Sequence, residues 1–345
     1  MFIPFRWKRG GEFYTPKSIV DTIVAILDPV AKSRIYDPAC GSGGMFVQSI
    51  KYLEERHEKT TQISFFGQES EPDTWRIAKI NMAIRGIEAN FGDSPASTFT
   101  NDHFKDEKFD FIFANPPFNQ KNWWNESLSE DPRWQYGIPS KSNANFAWMQ
   151  HMISHLSPRG KIALVLSNNS VSSFDKTETE IRKKIIEDNI LEAIISFPTQ
   201  LFYNVSLPVV VWVFNKKKKN KDKFLFINAT KLGHMVSTKH RELSKDDINK
   251  IVSTYKKYAN GELENEKGFS AVVLLNEIKE NNYNLTTGRY VEVNFDSEPA
   301  EEFATKMKSL SSELIQLFQD SKMYSEEIVN NLANLGFGLE DENEE

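Results

Sequence analysis

The sequence has a single cysteine, Cys40, which excludes an internal disulfide and any multi-cysteine zinc site. It has no long apolar run. The most apolar stretch, residues 207–214, contains Pro208 and falls far short of the ~20 residues needed to cross a bilayer. The first eleven residues carry basic side chains but no apolar core of the secretory kind, so the expectation is a cytoplasmic protein with no membrane partner. Positive charge is also in short supply. The net charge is −6, which argues against a surface that grips nucleic acid phosphates throughout and leaves room for a local basic cleft or a partner that supplies such contacts. No repeat of 20–50 residues is visible. What is present suffices for a large core: 345 residues, 39% hydrophobic and 12% aromatic.

Short apolar runs alternate with amphipathic stretches. Strands are expected over 33–37, 63–67, 89–92, 109–114, 161–167 and 191–197, and helices over 17–27, 44–57, 71–85, 145–156 and 175–188. This alternation predicts an α/β fold with a mostly parallel sheet covered on both faces. Residues 208–215 and 224–228, joined by a lysine-rich turn, read as an antiparallel edge hairpin. Residues 119–142 hold Trp123, Trp124, Trp134 and Tyr136 without a period and read as one long loop. Beyond about residue 229 a helix is expected over 244–258, and 259–297 read as irregular. From Phe303 the apolar residues fall at 307, 310, 314, 317, 324 and 328, interrupted only at Ser321, which is the spacing of a coiled-coil seam. The acidic residues 340–345 read as a frayed tail. The expected division is 1–230 catalytic domain, 231–297 mixed polar and helical extension, and 298–345 coiled-coil-like helix and tail.

Two loops carry chemistry. Asp37-Pro38-Ala39-Cys40-Gly41-Ser42-Gly43-Gly44 follows a strand and opens a helix. Gly41, Gly43 and Gly44 permit a sharp turn and close backbone approach, and the helix end offers free N–H groups to an anion. The spacing is not that of a dinucleotide loop, so the methionine carboxylate of S-adenosylmethionine is the better candidate. Asp37 can face the cofactor's ammonium, Glu69 the ribose hydroxyls and Asp93 the adenine amine, each from a successive strand end. Cys40 reads as a small buried filler rather than a nucleophile.

Asn115-Pro116-Pro117-Phe118 follows the strand FDFIFA. The lone pair of an exocyclic amine on adenine is delocalised into the ring. Two acceptors, the Asn115 side-chain carbonyl and the Pro116 main-chain carbonyl, can take its hydrogens and free that pair. Pro117 adds stiffness, and Phe118 gives a flat face for a base drawn out of the stack.

These residues carry a family resemblance. Gly11 to Pro16 (GEFYTP), DPACGSGG, Gly67-Gln68-Glu69 and NPPF, in that order and continuing through residues 119–124, 160–168, 201–215 and 284–291, are similar to the methylation (M) subunit of type I restriction-modification systems. The resemblance implies an adenine-N6 DNA methyltransferase. S-adenosylmethionine would be contacted by Glu12, Phe13, Tyr14, Thr15, Pro16, Lys17, Ser42, Gly43, Gly44 and Glu69, and the target adenine by Asn115 to Phe118. It also implies DNA as substrate and a specificity (S) subunit docked on the C-terminal helix, and it admits a second M subunit and a restriction (R) subunit. M subunits usually carry a helical domain before GEFYTP, where ten residues precede Gly11 here. The resemblance thus implies a separate N-terminal piece, or a truncated chain. Two other readings stand beside it. One is methyl transfer to protein glutamine or RNA, which uses related loops. The other is an inert remnant that still binds cofactor or an S subunit.

The lysines between 216 and 223 read as a solvated turn more than a phosphate contact. The tryptophans of 119–142 suit base stacking or packing under a loop equally. His151 and His155, one helical turn apart, have metal-pair spacing without an evident third ligand and read as structural.

Overall fold

The computed structural model describes residues 15–56, 62–202, 207–291 and 300–335. Strands β1 (Arg34–Asp37), β2 (Ser64–Gly67), β3 (Ala89–Asn90), β4 (Phe109–Ala114), β5 (Leu156–Ser167), β6 (Leu191–Ser196), β7 (Val209–Asn215) and β8 (Lys223–Asn228) lie in one sheet with β11 (Ser270–Leu274). A separate small hairpin is formed by β9 (His234–Ser237) and β10 (His240–Glu242). Between and after the strands run α1 (Lys17–Leu27), α2 (Gly44–Glu55), α3 (Pro72–Ala83), α4 (Asn145–Ser154), α5 (Lys176–Glu187), α6 (Lys245–Asn260) and α7 (Leu275–Glu280), and α8 (Ala300–Asn334) closes the described chain.

The nine-stranded order is β11-β8-β6-β7-β5-β4-β1-β2-β3. β3, β2, β1, β4 and β5 are mutually parallel, and β8 is parallel to β6. β7 runs against both its neighbours, β5 and β6. Every residue of β7, VVVWVFN, is buried, because a central strand is covered on both faces and needs apolar side chains in both directions. Alternate residues feed opposite cores. Val211 and Val213 pack with Ile19, Phe46 and Tyr255 on the side of α1, α2 and α6. Val210 and Trp212 pack with Phe146, Met149 and Ile185 on the side of α4 and α5. Local capping agrees with this layout. Asp175 accepts from the Glu178 N–H at 2.9 Å to start α5, and Ser244 with Asp247 forms a capping box at α6.

The mostly parallel sheet does carry an antiparallel edge, made by β11 against β8. Residues 208–215 and 224–228 are both strands, but they do not pair with each other: β7 is central and β8 takes β6 and β11. The stretch 259–297, read as irregular, holds β11 and α7. SAVVL is too short to announce itself, and it is a strand because it satisfies the open edge of β8. With β11 in the sheet and α6 packed on α1, residues 231–291 share the core of the preceding ones. The described chain divides into two compact units near residue 293. The second is the 35-residue α8, whose side chains Met307, Leu310, Leu314, Leu317, Tyr324 and Ile328 are exposed. Phe303 and the acidic tail lie outside the described side chains. Among the described residues no helix is long and apolar enough to cross a membrane.

Candidate active site at the carboxyl edge of the sheet

Parallel register brings the carboxyl ends of β1, β2, β3 and β4 to one edge. Asp37 is level with Gly67, and Tyr36 with Ile112. From β1 the chain winds one way to β2 and β3, then returns to place β4 on the other flank of β1. The β1–β4 boundary is therefore a topological switch point, where the loops leaving the two strands part and open a crevice. The glycine loop leaves one of these strands and NPPF the other. The two motifs, far apart in sequence, thus emerge from neighbouring strands at the same edge.

In the glycine loop, Asp37 is 1% exposed and its Oδ1 accepts from the Ala39 N–H at 3.0 Å. Gly41 (φ +54°) and Gly43 (φ +75°) are left-handed, and a Cβ on Gly43 would lie 2.9 Å from the Met82 methyl. Asn81 of α3 donates to the Ser42 carbonyl at 2.8 Å and holds the turn from below. Glu69 ties the ends of β1 and β2 together, its Oε2 accepting from the Gly41 N–H at 3.1 Å and its Oε1 from the Glu71 N–H at 2.8 Å. Burial raises the carboxyls of both Asp37 and Glu69 above the usual range. The Ala39 N–H opposes this at Asp37, and the N–H groups of Glu71, Ser70 and Gly41 oppose it at Glu69. Asp93 is exposed beyond β3, in a shallow hollow with Asn90, Gly92 and His103. Gly44 opens α2. The Cys40 thiol is buried and pushed up by that burial, and it packs where a Cβ on Gly67 would sit 3.0 Å away, as a filler should.

In the second loop, Asn115 donates through Nδ2 to the Thr15 hydroxyl at 3.0 Å. Its Oδ1 is buried and has no hydrogen-bond partner among the described residues. Pro116 is buried, Pro117 half-buried, and the half-buried Phe118 ring meets Phe202 edge-on at 6.0 Å. The next residue, Asn119, is left-handed (φ +51°) and braced on two sides. Its N–H donates to Asn145 Oδ1 at 3.1 Å, and its own Oδ1 accepts from Asn145 Nδ2 at 2.9 Å and Ser167 Oγ at 3.2 Å. Sequence reasoning does not single out Asn145 and Ser167. The available signal is a polar residue at the start of an otherwise apolar helix and another at the end of an apolar strand. Of the GEFYTP segment, residues 11–14, including Glu12, Phe13 and Tyr14, lie outside the described residues. Thr15 stands against Asn115, the Pro16 carbonyl starts α1 by accepting from the Ile19 and Val20 N–H groups, and the exposed Lys17 pairs with Asp21.

The tryptophan-rich segment is packed. Trp123 and Trp134 are buried with Phe99, Leu128, Ala147 and Trp148, and their indole N–H groups donate to the carbonyls of Ser140 and Leu128. Packing under the loop is thus what the structure shows for these two, and neither presents a free face. Arg133 pins the segment to the body. It donates to the carbonyls of Thr98 and Phe99, pairs with Asp131 at 2.6 Å and donates to His151 Nδ1 at 3.0 Å. His151 and His155 do have a third acidic neighbour, Asp102, which accepts from His155 Nε2 at 2.8 Å. The Arg133 guanidinium lies 3.6 Å from that same Asp102 oxygen, so the cationic place among these groups is taken by a side chain. Burial holds both histidines in the neutral form. The lysine-rich turn leaves the carboxyl end of the antiparallel β7, so it lies on the opposite edge of the sheet from Asn115. There Lys218 is buried, donates to Asn189 Oδ1 at 3.1 Å and covers the Phe224 ring.

A mostly parallel sheet with one reversed strand, a glycine turn with strand-end carboxylates and an Asn-Pro-Pro-Phe loop at the switch point together define the S-adenosylmethionine-dependent methyltransferase fold. Comparison with known proteins narrows this. The N-6 DNA methylase family model matches residues 1–299. The HindI methylase subunit of a type I restriction enzyme from Haemophilus influenzae is 46% identical over 331 residues, covering 96% of this chain and 74% of that protein. The MjaIX methylase subunit from Methanocaldococcus jannaschii is 40% identical, covering 97% of this chain and 61% of its own length. Among solved structures, the type I restriction-modification methyltransferase subunit of Streptococcus thermophilus superposes with a TM-score of 0.74 at 27% identity, covering 83% of this chain and 60% of that one. The chain belongs to the N-6 DNA methylase family, alongside the methylase subunits of type I restriction enzymes.

Proposed function

We propose that the chain transfers a methyl group from S-adenosylmethionine to N6 of an extruded adenine in DNA, as the modification subunit of a type I system. The observation that carries this reading is the buried, unpartnered Oδ1 of Asn115. A buried acceptor without a donor costs about 1–3 kcal/mol, so an amine hydrogen arriving there removes a standing penalty. Thr15 fixes the amide by taking its Nδ2–H, which leaves the oxygen as the free end. The Pro116 carbonyl is the second acceptor, and Phe118 lies flat against the base. Both N6 hydrogens are then engaged by acceptors, and the nitrogen lone pair is drawn out of conjugation. S-adenosylmethionine supplies a sulfonium-activated methyl group. The residues that would hold it are Asp37 for the ammonium, the Gly41–Gly44 turn for the carboxylate, Glu69 for the ribose and Asp93 for the adenine amine, with Glu12 to Lys17 as further contacts that the family resemblance implies. The turn suits such a ligand because side chains are missing from it where close approach is needed. The amine becomes acidic as the methyl arrives, so no dedicated base is required.

Sequence recognition is assigned to an S subunit docked on α8, whose exposed seam of Leu310, Leu314, Leu317, Tyr324 and Ile328 needs a partner surface. A second M subunit and an R subunit complete the proposed assembly. The test is methyl transfer with labelled cofactor, unmodified DNA and the cognate S subunit. Label in adenine supports the reading. Label in protein or RNA moves the activity to those substrates, and cofactor binding without transfer makes the chain an inert remnant.

A further inference from the structure

The β9–β10 hairpin is the least buried regular structure of the first unit. All four residues of β9 are exposed on both faces of the ribbon, and Thr238 and Lys239 at its tip are exposed as well. Met235 (42%) and Val236 (48%) are left in water, although a two-stranded ribbon of this size gains nothing from apolar side chains facing outwards. Its root, by contrast, is held firmly. Gly233 is left-handed (φ +80°), and a Cβ there would come 2.6 Å from the Glu242 carbonyl. The Arg241 N–H donates to the Gln200 carbonyl at 2.9 Å, and its guanidinium to the Leu232 and Gly233 carbonyls. Leu243, just beyond, is buried in the main core. The ribbon projects from an anchored root, with Met235 and Val236 exposed along β9 and the polar Thr238 and Lys239 at its tip.

Its place and its charge point to one occupant. β8 is parallel to β6, so the hairpin that follows β8 rises from the edge that carries Asn115. Gln200, which holds the root, is two residues from Phe202, and Phe202 packs on Phe118. The ribbon and the base-holding ring are thus two ends of one connected structure. Residues 231–242 carry Lys231, Lys239 and Arg241 against Glu242, a local balance of +2 (three minus one) in a chain whose net charge is −6. Lys231 and Lys239 are exposed and have no ion-pair partner among the described residues. A two-stranded ribbon is one of the two elements that the major groove of DNA admits, and apolar side chains on it there meet thymine methyl groups.

We infer that the β9–β10 hairpin enters the major groove of the duplex flanking the extruded base, with Lys231 and Lys239 on phosphates and Met235 and Val236 on base edges. This rests on the proposed reading of the site and adds the surface that orients DNA upon it.

The test uses the full chain, alone and with the cognate S subunit, and a DNA duplex, with binding followed by fluorescence anisotropy across a salt series. The double variant Lys231→Glu/Lys239→Glu should weaken binding by about 10-fold or more and lower the slope of log affinity against log salt by about 2, because each lost phosphate contact removes close to one released counterion. Met235→Ser/Val236→Ser should weaken binding ~3–10-fold with the salt slope unchanged. Cofactor affinity and thermal melting should be the same as in the parent for both variants. If the parent binds and methylates DNA while both variants match its affinity and slope, the hairpin proposal is overturned and the proposed function stands. If the variants keep DNA affinity but lose assembly with an S subunit, the ribbon is a protein-docking surface and the proposal is equally overturned. A parent that neither binds nor methylates DNA even with the cognate S subunit present removes both readings together.

Discussion

The two loops at the β1–β4 switch point are built in opposite ways. In the glycine loop the polar groups named above are held by the protein: Asp37 by the Ala39 N–H, the Gly41 N–H by Glu69, and the Ser42 carbonyl by Asn81. In the Asn-Pro-Pro-Phe loop the scaffold is equally tied, through Thr15, Asn145 and Ser167, but the Asn115 Oδ1 has no hydrogen-bond partner among the described residues. In the proposed reading the glycine loop is a cofactor site, which has to keep its shape from one turnover to the next, and internal hydrogen bonds provide that. A site that activates a weak nucleophile gains most from an acceptor already desolvated and already aimed, because no reorganisation is then needed as charge develops.

The contrast can be broken at several points. The largest effect is expected from Asn115→Ala, a loss of about 10²–10³-fold in kcat with cofactor affinity nearly unchanged. Steady-state kinetics and calorimetric titration of the cofactor check it, and a large fall in cofactor affinity would contradict the division of labour between the loops. Glu69→Ala should do the reverse, weakening cofactor binding about 10–100-fold, the range for losing charge-assisted hydrogen bonds, and altering kcat far less. Thr15→Val should lower kcat about 10-fold, because the Asn115 amide is then free to turn. Its signature is an unchanged cofactor dissociation constant with a depressed rate in single-turnover experiments.

The smallest effect concerns the clasp behind the tryptophan segment. Burial, with the charges of Lys108 and Arg133, lowers the His155 pKa to about 3. A histidine that titrates lower in the folded than in the unfolded state binds fewer protons when folded. Its contribution is therefore fully present above the unfolded value, about 6.5, and lost as the pH falls towards 3. Protonation would also add an N–H at Nδ1, which has no partner among the described residues. His155→Asn should flatten stability against pH across that window, measured by urea unfolding at successive pH values. An unaltered slope would show that another group governs acid sensitivity.

Much of this arrangement is legible in the order of the amino acids. Buried parallel strands are continuous apolar runs, so RIYD and FDFIFA mark where the two loops begin, and glycine or proline directly after them marks chemistry rather than a simple turn. The α8 seam is legible from its steps of three and four. What the sequence hides is held across space. Nothing local announces that Thr15 will meet Asn115, that Asn145 and Ser167 will brace Asn119, or that Arg133 will occupy the place between Asp102 and the two histidines. β11 is hidden for a related reason: five residues become a strand only when β8 offers an edge to complete.

The reversed strand has a consequence for how the protein comes off the ribosome. β7 is made after β6 yet lies between β6 and β5, so these two must stand one strand-width apart until it arrives. A nascent chain paused before Val209 therefore presents two facing, unpaired, apolar edges with nothing to fill the slot. Synthesis of that single segment, VVVWVFN, is the step that joins β6 to the strands already made, and chains released just short of it should be far more prone to aggregate than chains released just beyond Asn215.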